Sequence, residues 1–439
     1  MSIQQKLSLP PGPKGRLRTT MRIIRDPRGC MQEWLKTYGD PYCVHSLNGK
    51  VVLTGRADLI RQIFSHDPME YEVFGAKAAA PILGSGSMLM LAGTEHRRER
   101  KLVMPMFHGD RMRAYAGIMR QAAIDAIESQ PRDTVFNMID LTTKVSLDVI
   151  VRAIFGGEDA ESIRTLTRLG EETMRRTAPI LLFSRHTQHR FLGIGPWDRF
   201  VKARDQLQAA FDAEIRRRQD QPAAREDILS MLLDAKYEDG TAIELDHVRD
   251  ELSTFLFAGH ETSAIAMAWA IYHLHRNPET LERLRSELSS QSDPSPEELT
   301  QLPYLKAVVQ ETLRMNPVVT EVLRVLKNSM ELDGYHLPAG TAVAPATILA
   351  HYNEDVFLNA DAFQPERFLE NNYSSAEYFP FGGGNRRCAG AAFASYEMAI
   401  VLGTILSKYE FELLDDKPVA SVRRNITMGP STGIRVRLV

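Results

Sequence analysis

The chain is 439 residues long, with 44% hydrophobic and 25% charged residues and a formal net charge of −3. That composition belongs to a globular protein and excludes a disordered, collagen-like or coiled-coil chain. The near-neutral balance provides no global field that calls for nucleic acid or an anionic membrane. Three scattered cysteines, Cys30, Cys43 and Cys388, supply neither a disulfide scaffold nor the paired spacing of a zinc site. An odd cysteine count fits a reducing cytosol, so a cytoplasmic protein is expected.

The chain opens on a proline-rich arm, residues 1–15, where Leu9-Pro10-Pro11-Gly12-Pro13 stops any helix. No long apolar run occupies the first thirty residues, so no signal peptide is expected. A helix is predicted over 27–38. A hairpin follows, with strands 42–47 and 51–54 turning at Asn48-Gly49. Helical patterns then cover 59–65, 96–104, 109–129, 137–155, 159–175 and 199–218. Residues 178–196 mix Pro, Gly and aromatic side chains and read as a mobile loop. A long helix is predicted over 246–274. Its segment 252–274 could span a bilayer by length. However, His260-Glu261-Thr262-Ser263 lies in its middle, where an ionised carboxylate costs several kcal/mol in lipid. It is therefore read as a helix buried all round, with no membrane span. Further helices are predicted over 279–289, 303–315 and 390–408, a short strand and turn over 331–338, and strands over 341–346, 410–413 and 434–438. The expected fold is mainly α, with a minor sheet built from both ends of the chain. Without repeats or low-complexity linkers, residues 1–439 read as one large domain.

The densest chemical signal is Phe381-Gly382-Gly383-Gly384-Asn385-Arg386-Arg387-Cys388-Ala389-Gly390. Three glycines let the backbone approach a large flat ligand and offer its N–H groups. Two arginines and the start of the following helix favour a thiolate at Cys388. Such a thiolate is a metal ligand or a nucleophile. A phosphate loop is the bland alternative, but no Lys-Ser/Thr pair follows the glycines. A nucleophile would need a histidine partner.

This run resembles the haem-binding loop of the cytochrome P-450 family, F-x-x-G-x-R-x-C-x-G, at every fixed position: Phe381, Gly384, Arg386, Cys388 and Gly390. The resemblance implies haem b (iron protoporphyrin IX) with Cys388 as the thiolate ligand of its iron, an arrangement that favours O–O cleavage. Glu311-Thr312-Leu313-Arg314 and Pro365-Glu366-Arg367-Phe368 resemble the family's E-x-x-R helix and P-E-R-F segment. Glu311, Arg314 and Arg367 are then expected to form a buried structural network, although Glu311 and Arg314 alone would read as a solvated pair. Ala258-Gly259-His260-Glu261-Thr262 resembles the A-G-x-[DE]-T oxygen-binding motif. Without the cysteine loop, Thr262 would simply bond back to the Ala258 carbonyl, and Glu261 would be a paired core carboxylate. With it, the resemblance implies that Gly259 thins the helix wall and that a disrupted turn leaves a groove for O2. Thr262 would hold the oxygen and Glu261 would relay protons from solvent. His96 and Arg100, four residues apart, resemble the family's pair for a haem propionate, with His in place of Trp; Arg324 and Arg386 are further propionate candidates.

The implied activity is a haem-thiolate monooxygenase that inserts one atom of O2 into a lipophilic small molecule, by hydroxylation or epoxidation. No flavin or iron–sulfur module is visible, so a ferredoxin or flavodoxin with its reductase is expected to supply electrons. Arg97, Arg98, Lys101, Arg386 and Arg387 would steer that partner, and the enzyme is expected to be a monomer. The intact Glu261-Thr262 pair disfavours a peroxide-dependent peroxygenase or lyase, and equally a non-catalytic haem sensor or electron carrier. Phe74, Met88, Val318, Val319 and Met428 are candidate substrate contacts, each readable also as ordinary core. Glu321 is a candidate polar contact.

Overall fold

The structure, a computed structural model, describes residues 9–439 except 110, 158, 178–180, 182–184, 222–224, 291–292 and 425. Its longest helix, Leu245–Arg276, runs through the middle of the main hydrophobic core. The sequence explains why. No polar stripe survives between Leu252 and Leu274, so no face prefers water. Apart from Glu261, its charged side chains lie toward the ends, with Asp246 in the first turn and Arg276 beside the carbonyl end of the helix. Asn277 caps it and Pro278 opens the next helix, Pro278–Ser289.

Met138–Phe155 lies along this central helix. Thr142 reaches across to donate to the Ala264 carbonyl at 2.9 Å. Arg111–Glu128, Pro303–Met315 and Ala391–Lys408 complete the helical block. The predicted helices are present with ends shifted by at most a few residues. Among the described residues, three helices of seven residues or more escape the sequence reading, besides the four-residue turns Pro296–Leu299, Thr347–Ala350 and Arg367–Glu370. Arg16–Arg25 follows directly on the proline arm, Ala76–Leu83 carries Pro81 inside it, and Ile228–Asp234 is only seven residues long.

The β structure is not one sheet. Four small sheets occur among the described residues. The largest orders Tyr42–Ser46, Gly49–Thr54, Ala342–Pro345, Arg324–Leu326 and Tyr71–Glu72, so it joins the first quarter of the chain to the last third. Val51 pairs in parallel with Ala342, and Arg324 antiparallel with Val343. The strands nearest the C-terminus stay apart from it. Arg435–Leu438 sits between Val135–Asn137 and Phe411–Leu413 in a separate three-stranded sheet. Three-residue strands are too short to leave a period-2 signal, which is why Arg324–Leu326 and Val135–Asn137 were not anticipated. The hairpin turn lies one residue earlier than predicted. Ser46 pairs with Gly49, so Leu47-Asn48 forms the loop and Gly49 starts the strand at φ 122°.

The proline arm is pinned where it is described: Cys43 N–H donates to the Pro11 carbonyl at 2.9 Å. In the predicted loop 178–196, residues 178–180 and 182–184 lie outside the described residues. Of the rest, Leu181 is buried against Ile82 and Phe200, and Arg185–Thr187 forms a 3-10 turn. Among the described residues, no helix is long and apolar enough to cross a membrane.

Candidate active site

Glu311, Arg314 and Arg367 form one buried network, with Glu311 and Arg314 wholly inaccessible. Arg314 grips Glu311 with both arms of its guanidinium, Nε to Oε2 at 2.7 Å and Nη2 to Oε1 at 2.8 Å. Arg367 Nε adds a third bond to Glu311 Oε1 at 3.0 Å, and the Gln364 N–H a fourth at 2.9 Å. Arg314 also donates to the carbonyls of His351 and Ala362. Deleting one partner would strand a buried charge, at about 3–5 kcal/mol. The network reaches the cysteine loop through His351, a residue the sequence reading missed. Its Nε2 accepts the Phe379 N–H at 3.0 Å, so the ring proton sits on Nδ1 and points to the Arg314 carbonyl at 3.3 Å. Burial, reinforced by the Arg314 charge, drives the imidazole down to about 3, so it stays neutral.

The cysteine loop continues from Phe379. Gly382 N–H bonds the Phe379 carbonyl and Cys388 N–H bonds the Phe381 carbonyl, both at 2.9 Å. Two of its three glycines are required by a neighbouring element of the chain itself. A Cβ on Gly383 would lie 2.4 Å from the Phe64 ring, and one on Gly384 would lie 2.5 Å from the Phe64 carbonyl oxygen. They admit the end of helix Ala57–Ser65. Gly390, which caps helix Ala391–Lys408, has nothing within 4 Å of an added Cβ.

Cys388 is solvent-exposed, whereas Cys30 and Cys43 are buried. Burial drives those two thiols up to about 12 and about 11. Solvent reaches Cys388, yet protein surrounds it densely enough to raise its thiol as well. The Gly390 N–H, Arg100 and Arg387 pull the other way and do not prevail. The depression expected from arginines and helix dipole is thus outweighed by desolvation in the polypeptide itself.

Four nitrogen-bearing side chains converge beside the loop. Arg386, Arg100 and Arg324 all act electrostatically on His96. Arg386 donates to the Leu91 carbonyl, and Arg324 Nη2 donates to the Gly383 carbonyl at 2.5 Å. Among the described residues, none of the three guanidiniums meets a carboxylate. Arg324 Nε is buried without any partner. Burial first, and mutual repulsion second, bring Arg386 down to about 10. The same causes hold His96 at about 3, so it is a neutral donor rather than a fourth cation. Three uncompensated cations with an orphaned buried N–H fit the two carboxylates of a haem, and the exposed Cys388 fits its iron.

The central helix is buried nearly throughout, but it opens at one turn. Phe257, Gly259, Glu261 and Thr262 are half-buried and Ala258 is exposed. The helix runs through this turn unbroken, contrary to the disrupted turn expected. Gly259 does not thin the wall on that side: a Cβ there would lie 3.0 Å from Ile150 of helix Met138–Phe155. The Thr262 hydroxyl donates to the Ala258 carbonyl at 2.7 Å. Burial raises the Glu261 carboxyl, opposed by Arg424 and by the Thr427 hydroxyl, which lies beside it without meeting hydrogen-bond geometry. A second acid, unforeseen from the sequence, stands near this turn. Glu397 is completely buried, and burial drives it up to about 7, with the Ser146 and Ser263 hydroxyls nearby. Ser146 also donates to the Gly259 carbonyl at 3.4 Å.

The candidate substrate contacts divide. Met88 and Val318 belong to the main core, and Val318 accepts the Met428 N–H at 2.9 Å. Phe74 packs with Leu323 against the cluster under the N-terminal sheet, while Val319 is 39% exposed. Glu321 is engaged by Thr320 and by Arg423, whose Nη2 lies 3.9 Å away. Of the basic residues assigned to the partner face, Arg98 is turned elsewhere, stacked on Tyr237 and paired with Asp239 at 2.8 Å. Lys101 pairs with Glu238. Arg97, Arg100 and Lys101 line a surface depression of about 460 Å³ with Met104, Pro105 and His108.

Residues 19–435 match the family model for cytochrome P450. A protein of Mycobacterium tuberculosis provisionally named cytochrome P450 135B1 is 32% identical over all of this chain and 93% of its own length. Another, provisionally named cytochrome P450 138, is 30% identical over 98% of this chain and 96% of its own. The cyanobacterial CYP120A1, solved with retinoic acid bound, superposes with a TM-score of 0.87 over 99% of both chains at 25% identity. The chain therefore belongs to the cytochrome P450 family, the haem b monooxygenases that draw electrons from redox partners and oxygen from O2.

Proposed function

We propose that this chain is a single-domain, monomeric, cytoplasmic P450 that oxygenates a lipophilic small molecule, with Cys388 as the haem ligand. Arg100, Arg324 and Arg386, with neutral His96 as a donor, would hold the propionates. Bound haem supplies the activation of O2; the chain's own residues position the substrate and handle protons. The observation that carries this reading is the single opening in the central helix at Ala258–Thr262, where a hydroxyl and a carboxyl raised by burial lie one residue apart. The Thr262 hydroxyl is parked on its own helix, and rotation about χ1 frees it as a donor. Glu261, whose carboxyl is raised by burial, returns the proton, with Arg424 and Thr427 beside it on the C-terminal turn. Apolar Met88, Val318 and Met428 favour a lipophilic substrate, and the retinoic acid carried by CYP120A1 is of that class. A ferredoxin or flavodoxin with its reductase is the electron source we assign.

The test is coupling in Thr262→Ala. Haem content and substrate binding should persist, since neither needs the hydroxyl. Product formed per NAD(P)H oxidised, with a surrogate ferredoxin and reductase, should fall several-fold while hydrogen peroxide rises, in keeping with the value of a positioned proton donor. Wild-type coupling in this variant would move the proton path away from Thr262.

A further inference from the structure

The helix Arg16–Arg25, reading Arg-Leu-Arg-Thr-Thr-Met-Arg-Ile-Ile-Arg, has no role in the site described above. It contains four arginines and no acid. At 100° per residue, Leu17, Met21 and Ile24 fall within about 60° of one another, on the side away from buried Thr19. These three side chains are 64%, 56% and 47% exposed. The stripe continues onto the neighbouring hairpin tip, where Leu47 is 54% exposed. Leu47 is fixed there by the helix: its N–H donates to Thr20 Oγ1 at 3.0 Å, and its carbonyl accepts from Arg16.

The charges flank this stripe. Arg18 and Arg25 are exposed and form no ion pair among the described residues, although Arg18 acts on Glu33 through space. Arg16 spends its hydrogen bonds on the Ser46 and Leu47 carbonyls, which leave its charge uncancelled. Only Arg22 is paired, with Glu33. A chain of net charge −3 thus presents one short face that is apolar along its crest and cationic along its sides.

We infer that this face docks reversibly on the surface of an anionic phospholipid bilayer. An amphipathic helix with arginines beside a narrow apolar stripe lies in the interfacial plane, with its apolar crest among the upper acyl carbons and its cations among anionic headgroups. Three leucine-sized side chains are too few for stable insertion, so binding depends on the lipid charge.

The experiment is cosedimentation of the haem-loaded full chain with phosphatidylcholine vesicles, made with and without phosphatidylglycerol. The protein should sediment with the anionic vesicles alone and be released by salt. Leu17→Gln/Met21→Gln/Ile24→Gln should abolish sedimentation. Arg18→Gln/Arg25→Gln should weaken it by about fivefold for each arginine. Both variants change exposed positions outside the site, so an unchanged reduced carbon-monoxide spectrum verifies that they fold. Equal sedimentation with both vesicle types overturns the inference. So does binding that survives the triple variant and is lost instead on Phe191→Gln/Leu192→Gln/Ile194→Gln, an exposed apolar segment elsewhere on the surface. A dimer in solution that the triple variant dissolves, without vesicle binding, would assign the face to a second copy and overturn it equally.

Discussion

Glu397 has a proton forced on it by its position. It sits on the inner side of helix Ala391–Lys408, completely buried, and its carboxyl is driven from 4.5 to about 7. An acid whose folded pKa is raised costs nothing at low pH, where both states are protonated. Above about pH 4.5 the unfolded chain releases the proton and the folded chain keeps it, so stability falls until about pH 7. At 1.36 kcal/mol per pKa unit the full penalty is about 3 kcal/mol. Glu397→Gln should therefore unfold at higher denaturant than wild type at pH 8, and the advantage should shrink toward zero near pH 4.5. A pH-independent difference in denaturation midpoints would show that the carboxyl is ionised in the folded state. His351 is the opposite case, a base kept neutral so that it can accept one N–H and donate another. Neither residue lies in a motif. A lone His or Glu in a helical or loop sequence gives no sign of what will bury it. The Glu311–Arg314–Arg367 network was legible because two separate motifs announced it.

At the scale of elements, the informative contacts are those between glycines and their neighbours. Gly259 lies in a motif read for chemistry, yet its missing Cβ serves the crossing of two helices. Adding a methyl against Ile150 at 3.0 Å overpacks a core that cannot yield freely, at about 1–3 kcal/mol. Against that stands a gain of up to about 1 kcal/mol in helix propensity. Gly259→Ala should thus destabilise the wild-type protein. In an Ile150→Ala background the clash is gone and only the propensity remains, so the same substitution should stabilise. Chemical denaturation of the four proteins of this cycle measures the change of sign, and an identical effect in both backgrounds would refute the packing role. Gly383 and Gly384 follow the same logic against Phe64. The glycine pattern was visible in the sequence, but its cause is a helix end more than three hundred residues earlier in the chain.

For the whole molecule, a net charge of −3 hides a strongly uneven surface. Exposed Arg97 and Arg387, with Arg100 and His108, occupy the side of the molecule that carries Cys388, and Arg387 and Arg100 act on its thiol. Arg98 and Lys101 have instead been drawn to the acidic turn at Glu238 and Asp239. If an acidic ferredoxin docks here, Arg97→Gln/Arg387→Gln should slow its reduction of the haem at low salt. The difference should disappear at about 1 M salt, where charges are screened beyond about 3 Å. A defect that persists unchanged at high salt would speak for a contact other than electrostatic steering.

By itself the sequence determined the helical class, most helix positions, the cysteine that stands alone in a glycine loop, and the buried charge network. Each of these is written in local periodicity or in a run of a few residues, because helices are stabilised by neighbours in the chain and motifs by short-range chemistry. The tertiary structure decided what depends on distant segments. It divided the β strands among separate sheets, because strand partners come from far along the chain. It reversed the expected direction of the Cys388 shift, because desolvation sums over everything nearby while the sequence displays only the adjacent arginines. It also neutralised His96, recruited His351 and Glu397, and left the stripe of Leu17, Met21 and Ile24 facing outward, since burial is a property of the packed chain and not of any residue in it.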